Sequence, residues 1–178
     1  MNFLKKTLSF IADTLESIAF IGSIYVVVYL FLFFPSGVQG ASMEPTFHTG
    51  DRIIVNRIAY KIADIERGDI VVINSPKNPD IDYVKRVIGL PGETILFKDG
   101  EVYINGELLS ESYITSPTNV WENGFIKENT PMLIPQDYVF VMGDNRLRSS
   151  DSREFGPVPV ASIVGKTVIQ YFPSFQLP

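Results

Sequence analysis

Between Ser17 and Met43 the chain carries no charged residue, and Ile18 to Phe34 is almost wholly apolar. At 1.5 Å per residue in a helix the apolar run spans about 25 Å, slightly short of a ~30 Å hydrocarbon core and within what bilayer thinning and snorkelling flanks absorb. It predicts a transmembrane helix over residues 17–35, preceded by a short segment 1–16. A cleaved signal peptide is the other reading, because Lys5 and Lys6 precede the run and Val38-Gln39-Gly40 roughly meets the small-residue rule at a cleavage site. The apolar region of such peptides, typically ~7–15 residues, is shorter than this one. Lys5 and Lys6 favour the cytoplasmic side, so the N-terminus is expected inside and residues 36–178 on the outer face.

With 178 residues the chain has room for one core of ordinary domain size beside that anchor. It has no cysteine, which excludes disulfides, a thiol nucleophile and zinc-thiolate sites. Its one histidine, His48, excludes a three-histidine metal site, so no metal is expected. A net charge of −5 without basic runs argues against a nucleic-acid partner.

Beyond Pro35 and Gly37 the pattern changes. Arg52 to Asn56, Asp69 to Asn74 and Tyr83 to Ile88 are short β-branched runs bounded by Gly, Pro, Asn or Asp, the mark of strands separated by turns. Asp99-Gly100 and Asn105-Gly106 flank Glu101 to Ile104 as hairpin signals, and Tyr138 to Met142 and Ile163 to Tyr171 supply two more strands. A helical turn fits only around Ile58 to Ile65. The fold class is therefore mainly β, a sandwich or partly open barrel with one N-terminal transmembrane helix. Ser110 to Pro131, polar and rich in turn residues, reads as a surface excursion within a hairpin and loop insertion at about residues 96–135.

Ser42 stands just outside the apolar run, in Ser-Met-Glu-Pro-Thr, and could serve as a nucleophile if a base took its proton. His48 lies in a stretch that reads as an exposed loop. Lys85 is the other candidate, surrounded by Tyr83, Val84, Val87, Ile88 and Leu90. Only a neutral lysine accepts a proton, and desolvation lowers its ordinary pKa of ~10.4. Pattern alone leaves open a solvated strand lysine.

Gly40-Ala-Ser-Met-Glu-Pro-Thr46, Arg67-Gly-Asp-Ile-Val-Val72, Tyr83 to Gly92, and Gly143-Asp-Asn-Arg146 with Ser150-Asp-Ser-Arg153 resemble, in order and spacing, the motif blocks of the bacterial type I signal peptidases. The resemblance covers the anchor and most of residues 38–165. It implies a membrane-bound serine endopeptidase that needs no cofactor, uses a Ser/Lys dyad on the outer face of the membrane, and takes preprotein signal peptides as partners. By position Ser42 matches the nucleophile, Lys85 the base and Ser149 the serine that orients the lysine. The Ser42 backbone N–H matches one oxyanion donor. Gly40 occupies the position of a second donor but has no side chain to offer. Asp144, Asp151 and Arg153 match charge pairs that support the catalytic loops. Val38, Met43, Phe47, Tyr83 and Val84 match pocket positions for small residues in an Ala-x-Ala pattern, with Asp82 beside the substrate strand. Leu147 and Arg148 depart from the family pattern. Two other readings stand beside this one, a self-cleaving protein related to LexA and a non-catalytic anchored β-domain.

Overall fold

The computed structural model describes residues 2–78 and 80–177, with residues 2–4 and 30 described by backbone alone. Met1, at the head of the expected inner segment, lies outside the described residues. The chain divides into two compact units between Phe34 and Pro35.

The first unit is helix α1, Asn2–Phe31. It begins well before the expected boundary because Leu4 to Glu16 is dominated by good helix formers. The hydroxyls of Thr14 and Ser17 donate back to the carbonyls of Phe10 and Asp13, so they add no unpaired polar group to the helix surface. The helix also stops short of residue 35. Pro35 drives the residue before it into extended backbone, and Phe33–Gly37 forms strand β1 instead. Lys5–Tyr29 is long and apolar enough to cross a membrane, and its side chains are exposed along its length.

The second unit is mainly β. Its larger sheet contains β1, β2 (Arg52–Asn56), β3 (Ile70–Asn74), β4 (Asp82–Gly89), β9 (Tyr138–Met142), β10 (Val158–Pro159) and β11 (Ile163–Phe172). Their spatial order is β1-β2-β11-β3-β4-β9-β10. The smaller sheet has the order β7-β6-β5-β8, with β5 at Thr94–Lys98, β6 at Glu101–Ile104, β7 at Glu107–Leu108 and β8 at Met132–Leu133. Register shifts interrupt β11 against both of its neighbours and β4 against β9. Each irregularity bends its strand and raises the local twist, which curls the large sheet. Short helices α2 (Ala59–Ile62) and α3 (Ser152–Phe155) punctuate the strands, the first within the helical turn expected around Ile58.

Successive side chains of β4 and β9 enter two different cores. Val87, Val139 and Val141 pack with Val71, Ile73 and Val158 on one face. Ile88, Phe140 and Met142 pack on the other against Ile95, Phe97, Val102 and Ile104 of the small sheet. Lys85 shares the first face by alternation and Arg86 the second, so adjacent cations leave the strand in opposite directions.

Segment 109–131 has no regular structure, but it is not merely a surface excursion. Ile126 joins the inter-sheet core, and Thr118 and the Glu111 carboxylate are buried. The periodicity that would mark a buried element is missing because the segment buries single residues at irregular intervals.

Candidate active site

Ser42 lies in the turns between β1 and β2. Gly40 sits at φ +87°, a backbone conformation that L side chains rarely adopt, so glycine suits the bend that leads into Ser42. The Ser42 carbonyl accepts the Asn145 N–H at 3.0 Å, which ties this turn to the loop after β9.

Lys85 approaches from β4. It is 3% exposed, and its Nζ donates to Ser42 Oγ at 2.9 Å and to the Val84 carbonyl at 3.0 Å. The ring of Tyr83 lies 5.1 Å from the amine. Burial lowers the lysine pKa from 10.5 to about 8, against the opposing pull of Asp151 and Asp144, with Arg153 helping to lower it. Desolvation prevails here over two nearby carboxylates because those carboxylates already face arginines.

The loop after β9 forms the floor. Asp144 accepts from Arg86 Nε at 2.8 Å and Nη2 at 2.7 Å, a bidentate pair with a completely buried carboxylate. Thr46 of the Ser42 turn donates to the same carboxylate at 2.5 Å. Asp151 pairs with Arg153 at 2.8 and 2.9 Å, caps α3 through the Arg153 N–H, and accepts the Gly143 N–H at 3.1 Å. Gly143 is where these strands of the site converge. A Cβ there would stand 2.3 Å from both Ser149 Oγ and the Ser42 carbonyl oxygen.

Ser149 is buried beside Gly143, and its hydroxyl has no hydrogen-bond partner among the described residues. The expected bond from Ser149 to the lysine amine is therefore absent from this arrangement. His48 is exposed on its loop, where its backbone N–H donates to Asp51, and it does not meet Ser42.

A cleft of about 370 Å³ opens over Ser42 and Lys85, walled by Val38, Met43, Tyr83 and Val84 and bordered by Asp82. Phe47 is not part of that wall. It is 1% exposed and packs inward, because the turn from Met43 to Phe47 closes on itself through the Phe47 N–H to the Met43 carbonyl. Strand β3 pairs with Asp82 to Arg86, whereas β9 pairs with β4 only from Arg86 onward. Asp82 to Val84 thus keeps a strand edge without a partner among the described residues.

Residues 11–172 match the family described as "Signal peptidase, peptidase S26". The chain belongs to the signal peptidase family. It is 43% identical over 147 residues to Signal peptidase I T of Bacillus subtilis (strain 168), covering 80% of this chain and 76% of that relative. Signal peptidase IB of Staphylococcus aureus (strain N315) is 34% identical over 175 residues, covering 90% and 91%. The crystal structure of a signal peptidase I from Enterococcus faecalis V583 is 41% identical, with a TM-score of 0.49 over 59% of this chain and 97% of that one. The chain is accordingly an enzyme, a serine endopeptidase of the signal peptidase I type, and with its apolar N-terminal helix it is built for membrane anchoring.

Within this signal peptidase the departures at Leu147 and Arg148 fall on exposed positions, clear of the buried pairs. Several residues of the site were not singled out from sequence. Arg86, Thr46 and Gly143 stood inside recognised blocks, so their positions were visible but not their contacts. Arg146 is 1% exposed and paired with Glu111, a residue with no motif around it at all.

Proposed function

We propose that this signal peptidase removes signal peptides with Ser42 as nucleophile and Lys85 as general base. The observation that carries the reading is the 2.9 Å contact between Lys85 Nζ and Ser42 Oγ around a lysine held at about 8. In its neutral form the amine takes the hydroxyl proton while Oγ attacks the scissile carbonyl carbon, and it returns a proton to the leaving amine. Water then hydrolyses the acyl-enzyme with the same lysine as base. The Ser42 N–H, which makes no hydrogen bond among the described residues, serves the oxyanion. Gly40 adds no side-chain donor. Ser149, a buried hydroxyl without a partner among the described residues, is assigned the role of aiming the lysine lone pair, which requires it to turn to the amine during the reaction. Asp144, Asp151 and Arg153 hold the floor rather than touch substrate.

The signal peptide adds as a strand along the open edge at Asp82 to Val84, so main-chain bonds supply affinity and alternate side chains enter the wall of Val38, Met43, Tyr83 and Val84. The four side chains of that wall favour small residues in an Ala-x-Ala pattern before the cleaved bond. The N-terminal end of α1 with Lys5 and Lys6 stays inside, the apolar remainder of α1 spans the bilayer and residues 36–178 work on the outer face, the two lysines setting the orientation.

Replacing the nucleophile tests the reading. Ser42→Ala is expected to cut preprotein cleavage by about 10⁴-fold or more, as loss of a nucleophile does elsewhere, with insertion and folding unchanged. Ser149→Ala is expected to be milder than Lys85→Ala. Substantial cleavage by purified Ser42→Ala would remove Ser42 from the mechanism.

A further inference from the structure

Segment 110–131 meets the floor of the site at three buried or stacked arginines, each through a different kind of group. On Arg146, Glu111 accepts from both Nη1 and Nη2, the former at 2.9 Å, and Thr118 accepts from Nη1 as well. Arg146 Nε meanwhile donates to the Gly143 carbonyl at 3.1 Å. On Arg86, the partner of Asp144, the ring of Tyr113 lies 4.1 Å from the guanidinium carbon. On Arg153, the partner of Asp151, the Asn119 carbonyl accepts at 2.9 Å and the Trp121 ring lies at 4.5 Å. Glu111 links two of these contacts, because Tyr113 donates its hydroxyl to the same carboxylate at 2.6 Å. Burial and that carboxylate push the Tyr113 pKa up, so the phenol stays a neutral donor.

The other side of the segment is fastened to the β5–β6 hairpin. Leu109 N–H donates to Val102, Thr118 N–H to Gly100 and Asn129 N–H to Phe97. The segment therefore connects the small sheet with the loop that carries Gly143, Asp144 and Ser149.

We infer that residues 110–131 form a strap that positions this loop against Ser42 and Lys85, with Glu111 as its central positioning residue. The inference rests on the Ser42/Lys85 reading. Glu111 touches neither dyad residue and acts through Arg146 on Gly143, whose backbone packs on the Ser42 carbonyl and on Ser149. Three arginines held at fixed distances leave the floor little freedom to retreat. A loosened strap admits water beside Lys85 and weakens the desolvation that keeps the amine neutral. The charged groups facing Lys85 are Asp144, Asp151 and Arg153, all on or beside the strapped loop, and Tyr83 lies next to it on β4.

The test uses full-length, detergent-solubilised enzyme and a quenched peptide carrying Ala-x-Ala before the scissile bond. Glu111→Gln is expected to lower kcat roughly 10–100-fold, the scale of a misplacement of about 1 Å, while KM changes less than about twofold because the cleft wall is untouched. The rising limb of kcat/KM against pH is expected to move from about 8 toward the ordinary lysine value of 10.5. Loss of folded protein alone would scale the rate equally at every pH and leave that limb in place. Tyr113→Phe keeps the ring on Arg86 but removes the hydroxyl bond to Glu111, and is expected to shift the limb the same way with a severalfold lower kcat. It decides the matter if Glu111→Gln does not accumulate. An unshifted limb in Tyr113→Phe, with Ser42→Ala inactive in the same assay, overturns the strap and leaves the dyad standing. An active Ser42→Ala overturns the dyad instead.

Discussion

Lys85 is buried beside two carboxylates, and the direction of its pKa depends on which influence is larger. Desolvation exceeds the attraction of Asp151 and Asp144, and the amine is held at about 8 rather than 10.5. The protonated lysine cannot act as a base, so kcat/KM is expected to be low below that value and to climb as pH rises through it. Lys85→Arg is expected to be inactive at every pH, because a guanidinium does not deprotonate in proteins. His48→Ala is expected to reproduce the wild-type rate and profile, given an exposed imidazole away from Ser42. A pH series on the three proteins checks this, and an active arginine variant or a limb lost only with His48 would exclude the lysine as base. At this scale Ser42 and Lys85 were legible because both lie in short blocks with their own signature. Glu111 was not, since an isolated acid in a polar segment looks the same whether it faces water or a buried arginine.

Strand β4 does most of the positioning. It sends Lys85 to one core and Arg86 to the other, and leaves Asp82 to Val84 open as an edge. The loop after β9 closes on it through the Arg86–Asp144 pair, whose burial makes the loss of either partner costly, about 3–5 kcal/mol. Gly143 shows how closely these elements meet. In Gly143→Ala the new methyl would fall 2.3 Å from Ser149 Oγ and the Ser42 carbonyl, so the loop must shift. A displacement near 1 Å at a catalytic serine corresponds to about a 10²-fold loss in kcat, with KM little changed. Steady-state kinetics of the purified variant measure this, and near wild-type kcat would mean the turn relaxes without moving Ser42. The strands themselves were readable from β-branched runs and turn residues. Strand β1 was not, because its first residues, Phe33 and Phe34, close the apolar run, and Pro35 ends the helix early, at Phe31.

For the whole molecule, the unit from Pro35 onward contains both cores, Ser42, Lys85 and the cleft. A chain beginning at Pro35 is therefore expected to cleave the soluble peptide within severalfold of the full chain. On preproteins embedded in vesicles it is expected to lose about 10²-fold or more, because enzyme and substrate no longer share one bilayer. Equal rates on vesicle-bound preprotein with and without α1 would show that tethering contributes nothing. The sequence by itself marked an N-terminal helix long and apolar enough to cross a membrane, which needs only length and low charge. It also marked most strands and singled out Ser42 and Lys85 as candidates, because side-chain alternation, turn chemistry and short motifs are local properties of a chain. Only the tertiary structure decided that β11 inserts between β2 and β3, that Lys85 is dry enough to titrate near 8, and that Glu111 reaches Arg146. Strand order, desolvation and buried ion pairing depend on residues far apart in sequence being brought together, and no local pattern specifies which partner each one meets.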